Sequence, residues 1–140
     1  MSTEPELLGW LVKRLQHRHH RSLDSQLSEL GSSLAQWNAL REIDRNPGAC
    51  QRALAERTFN SDQAFGTLVT RLQRRGLVMQ KKGEGRRLEH VLTPAGRALL
   101  KQGQKVMSQV TGESFAGLSS RDRRELARLL SLVLDGAKNG

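Results

Sequence analysis

At Gly76 the chain changes hydrophobic period, and that switch leaves few ways to fold it. Upstream, Ala64, Phe65, Leu68, Val69 and Leu72 recur at helical spacing. Asn60 and Gln63 stand three apart in front of this run, the spacing of a capping box. Downstream, "LVMQK" and "LEHVLT" are short enough and apolar enough to be two strands around "KGEGRR". A glycine at the switch suits the left-handed position that closes a helix. Thr93-Pro94 then restarts one, with threonine as N-cap and proline at the first helical position. Ahead of all this, "CQRALAERT" reads as a short helix, with Ala53, Leu54 and Arg57 covering a turn and almost no linker after it.

The charge follows the same segment. Residues 71–87 hold Arg71, Arg74, Arg75, Lys81, Lys82, Arg86 and Arg87 against Glu84 alone, a net +6 of the chain's formal +9. Cations this dense repel one another unless an anionic partner sits against them, and nucleic acid is the first candidate. Arg121-Asp122-Arg123-Arg124, where an acid is interspersed, reads instead as an ordinary solvated face. Helix, tight connection, helix and cationic hairpin form the order of a helix-turn-helix with a wing. The second helix enters a major groove about 12 Å wide. The wing then reaches the minor groove beside it, where negative potential concentrates.

The remaining segments are helical. From residue 5 to about 31, Leu7, Leu8, Trp10, Leu11, Val12 and Leu15, then Leu23, Leu27 and Leu30, are mostly three or four apart around the wet stretch "KRLQHRHHR". Apolar ends and a charged middle suit packing against another chain. Ser32 or Ser33 caps a second helix striped by Leu34, Trp37, Leu40 and Ile43, which Asn46-Pro47-Gly48 ends. The helix after Pro94 carries Leu99, Leu100, Val106, Met107 and Val110, with Gly96 and Gly103 inside it. Each of those glycines costs about 1 kcal/mol against alanine, which points to close backbone packing there. A last helix begins at Ser119-x-x-Asp122, shows Leu126, Leu129, Leu130, Val133 and Leu134, and ends at Asp135-Gly136. The expected fold is mainly α with a small β-hairpin wing, one domain over 1–140. Its winged lobe spans 33–93, and helical elements at 5–31 and 94–136 flank it.

Other classes find little support. The single cysteine, Cys50, excludes an internal disulfide framework. The acidic N-terminus lacks an apolar leader, and no apolar run approaches the ~20 residues that span a bilayer. A cytoplasmic protein is expected. There is no nucleophile motif, no phosphate-binding glycine loop and no suggestive carboxylate pair, since Asp122 and Glu125 are capping and solvating groups. Neither an enzyme nor a cofactor is expected. Metal binding at His17 and His20, which share a helical face, needs further ligands, and Arg14, Arg18 and Arg21 oppose it.

"QRALAERTFNSDQAFGTLVTRLQRRGLVMQKKGEGRRLEHVLTPAGRALL" resembles the DNA-binding region of the multiple-antibiotic-resistance regulator (MarR) family. The specific parts are Leu54-Ala55-Glu56-Arg57, then Arg71-Leu72-x-x-Arg75-Gly76-Leu77-Val78, then Leu92-Thr93-Pro94-x-Gly96-Arg97. The resemblance runs from about residue 7 to residue 135. It implies an obligate homodimer with interleaved terminal helices that binds double-stranded DNA, as a repressor of inverted-repeat operators relieved by a small aromatic effector. A winged helix that docks a protein and never DNA is the alternative.

The family wing usually carries Asp-x-Arg. Here Glu84-Gly85-Arg86 stands in its place, so Arg86 inherits the minor-groove role and Glu84 the brace, on a compact wing. Ser61, Asp62, Gln63, Gly66, Thr67, Thr70 and Arg71 form the expected exposed face of the recognition helix. Gln63 suits adenine, Thr67 a thymine methyl and Arg71 a phosphate. Gly66 suits close approach to the backbone. Arg74, Arg75, Lys81, Lys82 and Arg87 complete the cationic set. Trp10, His17, His20 and Trp37 are the candidates for an effector cavity, with core or surface roles as the simpler alternative. Cys50 falls at a helix N-cap, where it is either a thiolate-forming redox sensor or a small residue in a Ser/Thr position. The reactive cysteine of the family's peroxide-sensing branch lies in the N-terminal helix, where this chain has none.

Overall fold

The structure is a computed structural model and describes residues 3–85 and 87–137. Its elements run α1 (Glu4–Ser28), α2 (Leu34–Arg45), α3 (Gln51–Arg57), α4 (Asp62–Arg74), β1 (Val78–Lys82), β2 (Leu88–Leu92), α5 (Pro94–Ser114) and α6 (Ser120–Ala137). The mainly helical chain with one hairpin is the expected one. β1 and β2 pair antiparallel, Val78 opposite Leu92 and Lys82 opposite Leu88.

Caps place the helices. Ser33, not Ser32, starts α2, its hydroxyl accepting the Gln36 N–H at 3.2 Å. At α4 the expected Asn60–Gln63 box is replaced by Ser61, whose hydroxyl accepts the Ala64 N–H at 3.1 Å. Asn60 is already committed to the preceding turn. Its backbone N–H bonds the Ala55 carbonyl at 2.8 Å, and its amide donates to Thr58 Oγ1 at 2.9 Å. Ala64 is exposed, contrary to the expected stripe, because the buried line of α4 runs through Phe65, Val69 and Leu72 with Leu68 half-buried. At 100° per residue, a position next to that line faces away from it.

Two apolar clusters result. One joins Ala39, Leu40 and Ile43 of α2, Leu54 and Ala55 of α3, Phe65, Val69 and Leu72 of α4, the hairpin base Leu77, Val78 and Leu92, and Leu99 of α5. The other gathers Leu23 and Leu27 of α1, Leu34 and Trp37 of α2, and Val110 of α5. Helix α5 belongs to both, and its two expected close approaches occur. A Cβ at Gly103 would overlap the Trp37 indole, and one at Gly96 would overlap the Leu77 carbonyl. The indole N–H of Trp37 donates to the Leu100 carbonyl at 3.1 Å. Thr93 ties the hairpin base to α5. Its N–H bonds the Leu77 carbonyl at 3.1 Å, its hydroxyl donates to the Gly76 carbonyl, and the same oxygen accepts the Gly96 N–H at 3.1 Å.

The outer halves of the terminal helices find no cover in one chain. Leu7, Leu8, Trp10, Leu11 and Val12 of α1, and Leu129, Leu130, Leu132, Val133 and Leu134 of α6, are each 41–70% exposed. No described residue of α6 is buried.

Replacing Gly103 with Ala should force the methyl against the indole and destabilise the fold by about 3 kcal/mol. Thermal unfolding should then fall by roughly 10 °C; an unchanged midpoint would show that the two helices are not locked there.

A second outcome concerns pH. His90 in β2 is half-buried, its Nδ1 has no hydrogen-bond partner among the described residues, and burial lowers its pKa below 6.5. His19 shifts the same way through burial and then through the neighbouring Arg18 charge. Below about pH 6.5 the unfolded chain takes up protons that the folded imidazoles resist. Stability should therefore hold above that pH and decline as pH falls through it. His90→Gln should flatten the decline in melting temperature between pH 7.5 and 5.5; an equal decline in both proteins would assign it elsewhere.

Candidate nucleic-acid interface

Helix α3 lies across α4 through Leu54, Ala55 and Phe65, leaving the opposite side of α4 in solvent. That side presents Asp62, Gln63, Thr67, Thr70, Arg71 and Arg74, all exposed. Ser61 is exposed too, but its hydroxyl holds the helix start. The hydroxyls of Thr67 and Thr70 donate back to the carbonyls of Gln63 at 3.1 Å and Gly66 at 2.9 Å. With those protons committed, each threonine offers a partner its methyl group and a hydroxyl oxygen that can only accept.

Gly66 serves an unexpected purpose. A Cβ there would stand 3.0 Å from the side-chain nitrogen of Gln51, which also reaches the Asp62 carbonyl at 3.4 Å. The space is filled by the first residue of α3, so the close approach is made by a side chain of this protein. Gln51 thus reaches α4, and its amide oxygen has no hydrogen bond among the described residues. A glutamine at a helix start carries no periodic signal, and only the pairing of α3 with α4 reveals it.

The wing adds further exposed cations. Lys81, Lys82, Glu84 and Arg87 are exposed, and Met79 and Leu88 are exposed apolar neighbours. Arg86, and with it the expected brace from Glu84, lies outside the described residues. The Gly83 N–H closes the tip onto the Arg87 carbonyl at 2.9 Å. Gly85 has φ +70°, a left-handed turn position that favours glycine. Gly83 is needed for another reason: the Glu89 carboxylate lies over it, where a side chain would stand, and also approaches Gly48 of the α2–α3 loop. Glu89 thus lies between the wing tip and the α2–α3 loop. Among the described residues Arg71, Arg74, Lys81, Lys82 and Arg87 form no ion pair. Arg75 departs from the expected set. Its guanidinium donates to Gln36 of α2 and approaches Gly31, so it fastens α4 to the start of α2.

The effector candidates are not gathered in one place. Trp37 is 2% exposed and is a core residue with Arg41 stacked 5.2 Å from its ring centre. Trp10 and His20 are exposed on α1. His17 lines an open hollow of about 440 Å³ with Arg14, Arg18, Arg21 and Ser22. The imidazole that faces the body is His19, which meets Ser114 Oγ at 2.6 Å and Phe115 edge-on. Cys50 is the exposed N-cap of α3 but makes no side-chain capping bond, so it does not do the work of a serine there. No group of three or more metal-ligating side chains occurs among the described residues.

Residues 30–87 match the sequence profile of the MarR family. The chain is 30% identical over 125 residues to the HTH-type transcriptional repressor Rv2887 of Mycobacterium tuberculosis, covering 88% of this chain and 90% of that one. The crystal structure of that Mycobacterium tuberculosis MarR family protein in complex with DNA superposes with a TM-score of 0.76 at 28% identity, over 90% of this chain and 96% of that one. Its complex with p-aminosalicylic acid gives 0.76 at 29% identity, over 90% and 97%.

Gly66→Ala should stabilise α4, by up to about 1 kcal/mol, because the flexible end of Gln51 can swing aside and alanine favours helix. A small rise in melting temperature is expected, and a loss of several degrees would show that Gln51 cannot move.

Proposed function

Because the chain belongs to the MarR family, it is a DNA-binding transcription regulator, and we propose that it acts as a homodimeric repressor of an inverted-repeat operator. One observation carries the assignment of the surface. The exposed side of α4 and the wing carry Arg71, Arg74, Lys81, Lys82 and Arg87, none of them in an ion pair among the described residues, against the exposed acids Asp62 and Glu84 on the same segments. Helix α4 enters the major groove, where Gln63 meets a base edge and the methyls of Thr67 and Thr70 meet apolar base atoms. The wing cations and Arg71 hold phosphates, which positions the lobe without reading sequence. Regulators of this family are not enzymes, and the roles assigned here need no catalytic group.

The winged lobe of 33–93 supplies the contacts, and 5–31 with 94–136 supply the dimer. The ten exposed apolar side chains of α1 and α6 are the surface a second copy covers. Two recognition helices then address successive major grooves about 34–36 Å apart. A small aromatic acid is the effector we favour, its carboxylate held by Arg14, His17, Arg18 or Arg21 in the hollow on α1. The relative's complex with p-aminosalicylic acid supports that class. By biasing the spacing of the two lobes, such a ligand would shift the dimer away from its DNA-competent state. We place the protein in the cytoplasm with the DNA it reads; no helix among the described residues is long and apolar enough to cross a membrane.

Binding to duplex selected from random sequence should weaken steeply with salt, by about −0.9 in log–log slope per neutralised phosphate. Lys82→Ala and Arg87→Ala should each make that slope shallower by about 1, while Arg121→Ala on α6 leaves it unchanged. Wing variants indistinguishable from Arg121→Ala would remove the wing from the interface, and affinity indifferent to salt would favour a protein partner.

A further inference from the structure

Phe59 is the only non-glycine residue with left-handed backbone among those described, at φ 59°, and it is 97% exposed. It sits in the turn between α3 and α4, its N–H bonded to the Glu56 carbonyl at 3.1 Å. An exposed phenylalanine alone is unremarkable. Here the ring also stands on a backbone conformation that penalises any Cβ, most of all a bulky one. Glycine would adopt the turn without strain, and the ring buries nothing within the chain to offset it. Strain kept in this way points to a contact outside the monomer.

We propose that Phe59 is a specificity-determining DNA contact whose ring packs against the C5 methyl of a thymine at the edge of the groove entered by α4. Three features select that occupant. Phe59 lies two residues before Ser61, the N-cap of α4, and so at the same end of the helix as Asp62 and Gln63. Thr67 and Thr70 are exposed on α4 with their hydroxyl protons bonded to their own helix, so apolar methyl groups are already among what that helix offers a groove. The thymine methyl is the one apolar group that base edges display in the major groove. A second copy of the chain is a poorer occupant, because the uncovered apolar stripes lie on α1 and α6.

The inference rests on the DNA-binding reading above, and its test separates the two. The probe is a duplex selected from random sequence by the full-length protein, with each thymine of a half-site replaced in turn by deoxyuridine. Phe59→Gly should melt higher than the parent, keep its salt slope and bind the duplex about tenfold more weakly. Deoxyuridine at one position should weaken the parent severalfold and leave Phe59→Gly unaffected. The inference alone is overturned if Phe59→Gly binds like the parent, if it melts lower, or if no thymine separates the two proteins. If the parent binds no duplex, the DNA-binding reading falls with it.

Discussion

The contact on which the rest depends is the approach of α5 to two other elements without an intervening side chain. At Gly103 the helix backbone meets the Trp37 indole, and at Gly96 it meets the Leu77 carbonyl. The first holds α2 against the long helix that leads out to α6. The second holds the root of the wing against the start of the same helix. Since Trp37 also packs on Leu23 and Leu27 of α1, a displacement of the terminal helices has a rigid route into the winged lobe. Close packing transmits such shifts because it leaves no void to absorb them.

The lobe adds a second fastening. Arg75 at the end of α4 donates to Gln36 at the start of α2, a charged group within a basic region that bonds inside the molecule, while the Glu89 carboxylate lies between the wing tip and the α2–α3 loop. Exposed cations remain on the solvent side of α4 and along the hairpin. A polyanion that fits this surface relieves their mutual repulsion, so binding strength and salt sensitivity have one origin.

Much of this was legible in residue order. The period change at Gly76, the Thr93-Pro94 restart, the stripe Leu34-Trp37-Leu40-Ile43 and the glycines of α5 all correspond to observed features, because each rests on local geometry or on a packing need that glycine advertises. The errors share a cause. Asn60 has the spacing of a cap, but a bond to Ala55 draws it into the preceding turn. Trp37 suits a cavity wall equally well until α5 closes over it. In each case a residue distant along the chain chose between locally equivalent options.

The amino-acid sequence by itself determined the element order, the basic hairpin between two strands, and terminal helices too apolar at their ends to stand alone. Those properties follow from short-range periodicity and charge, which need no knowledge of neighbours. Only the tertiary structure decided which cations face outward, which threonine hydroxyls are spent on backbone, and that an aromatic stands strained and uncovered before the recognition helix. These depend on which surfaces meet when α3, α4 and α5 pack, and packing is a property of the whole chain.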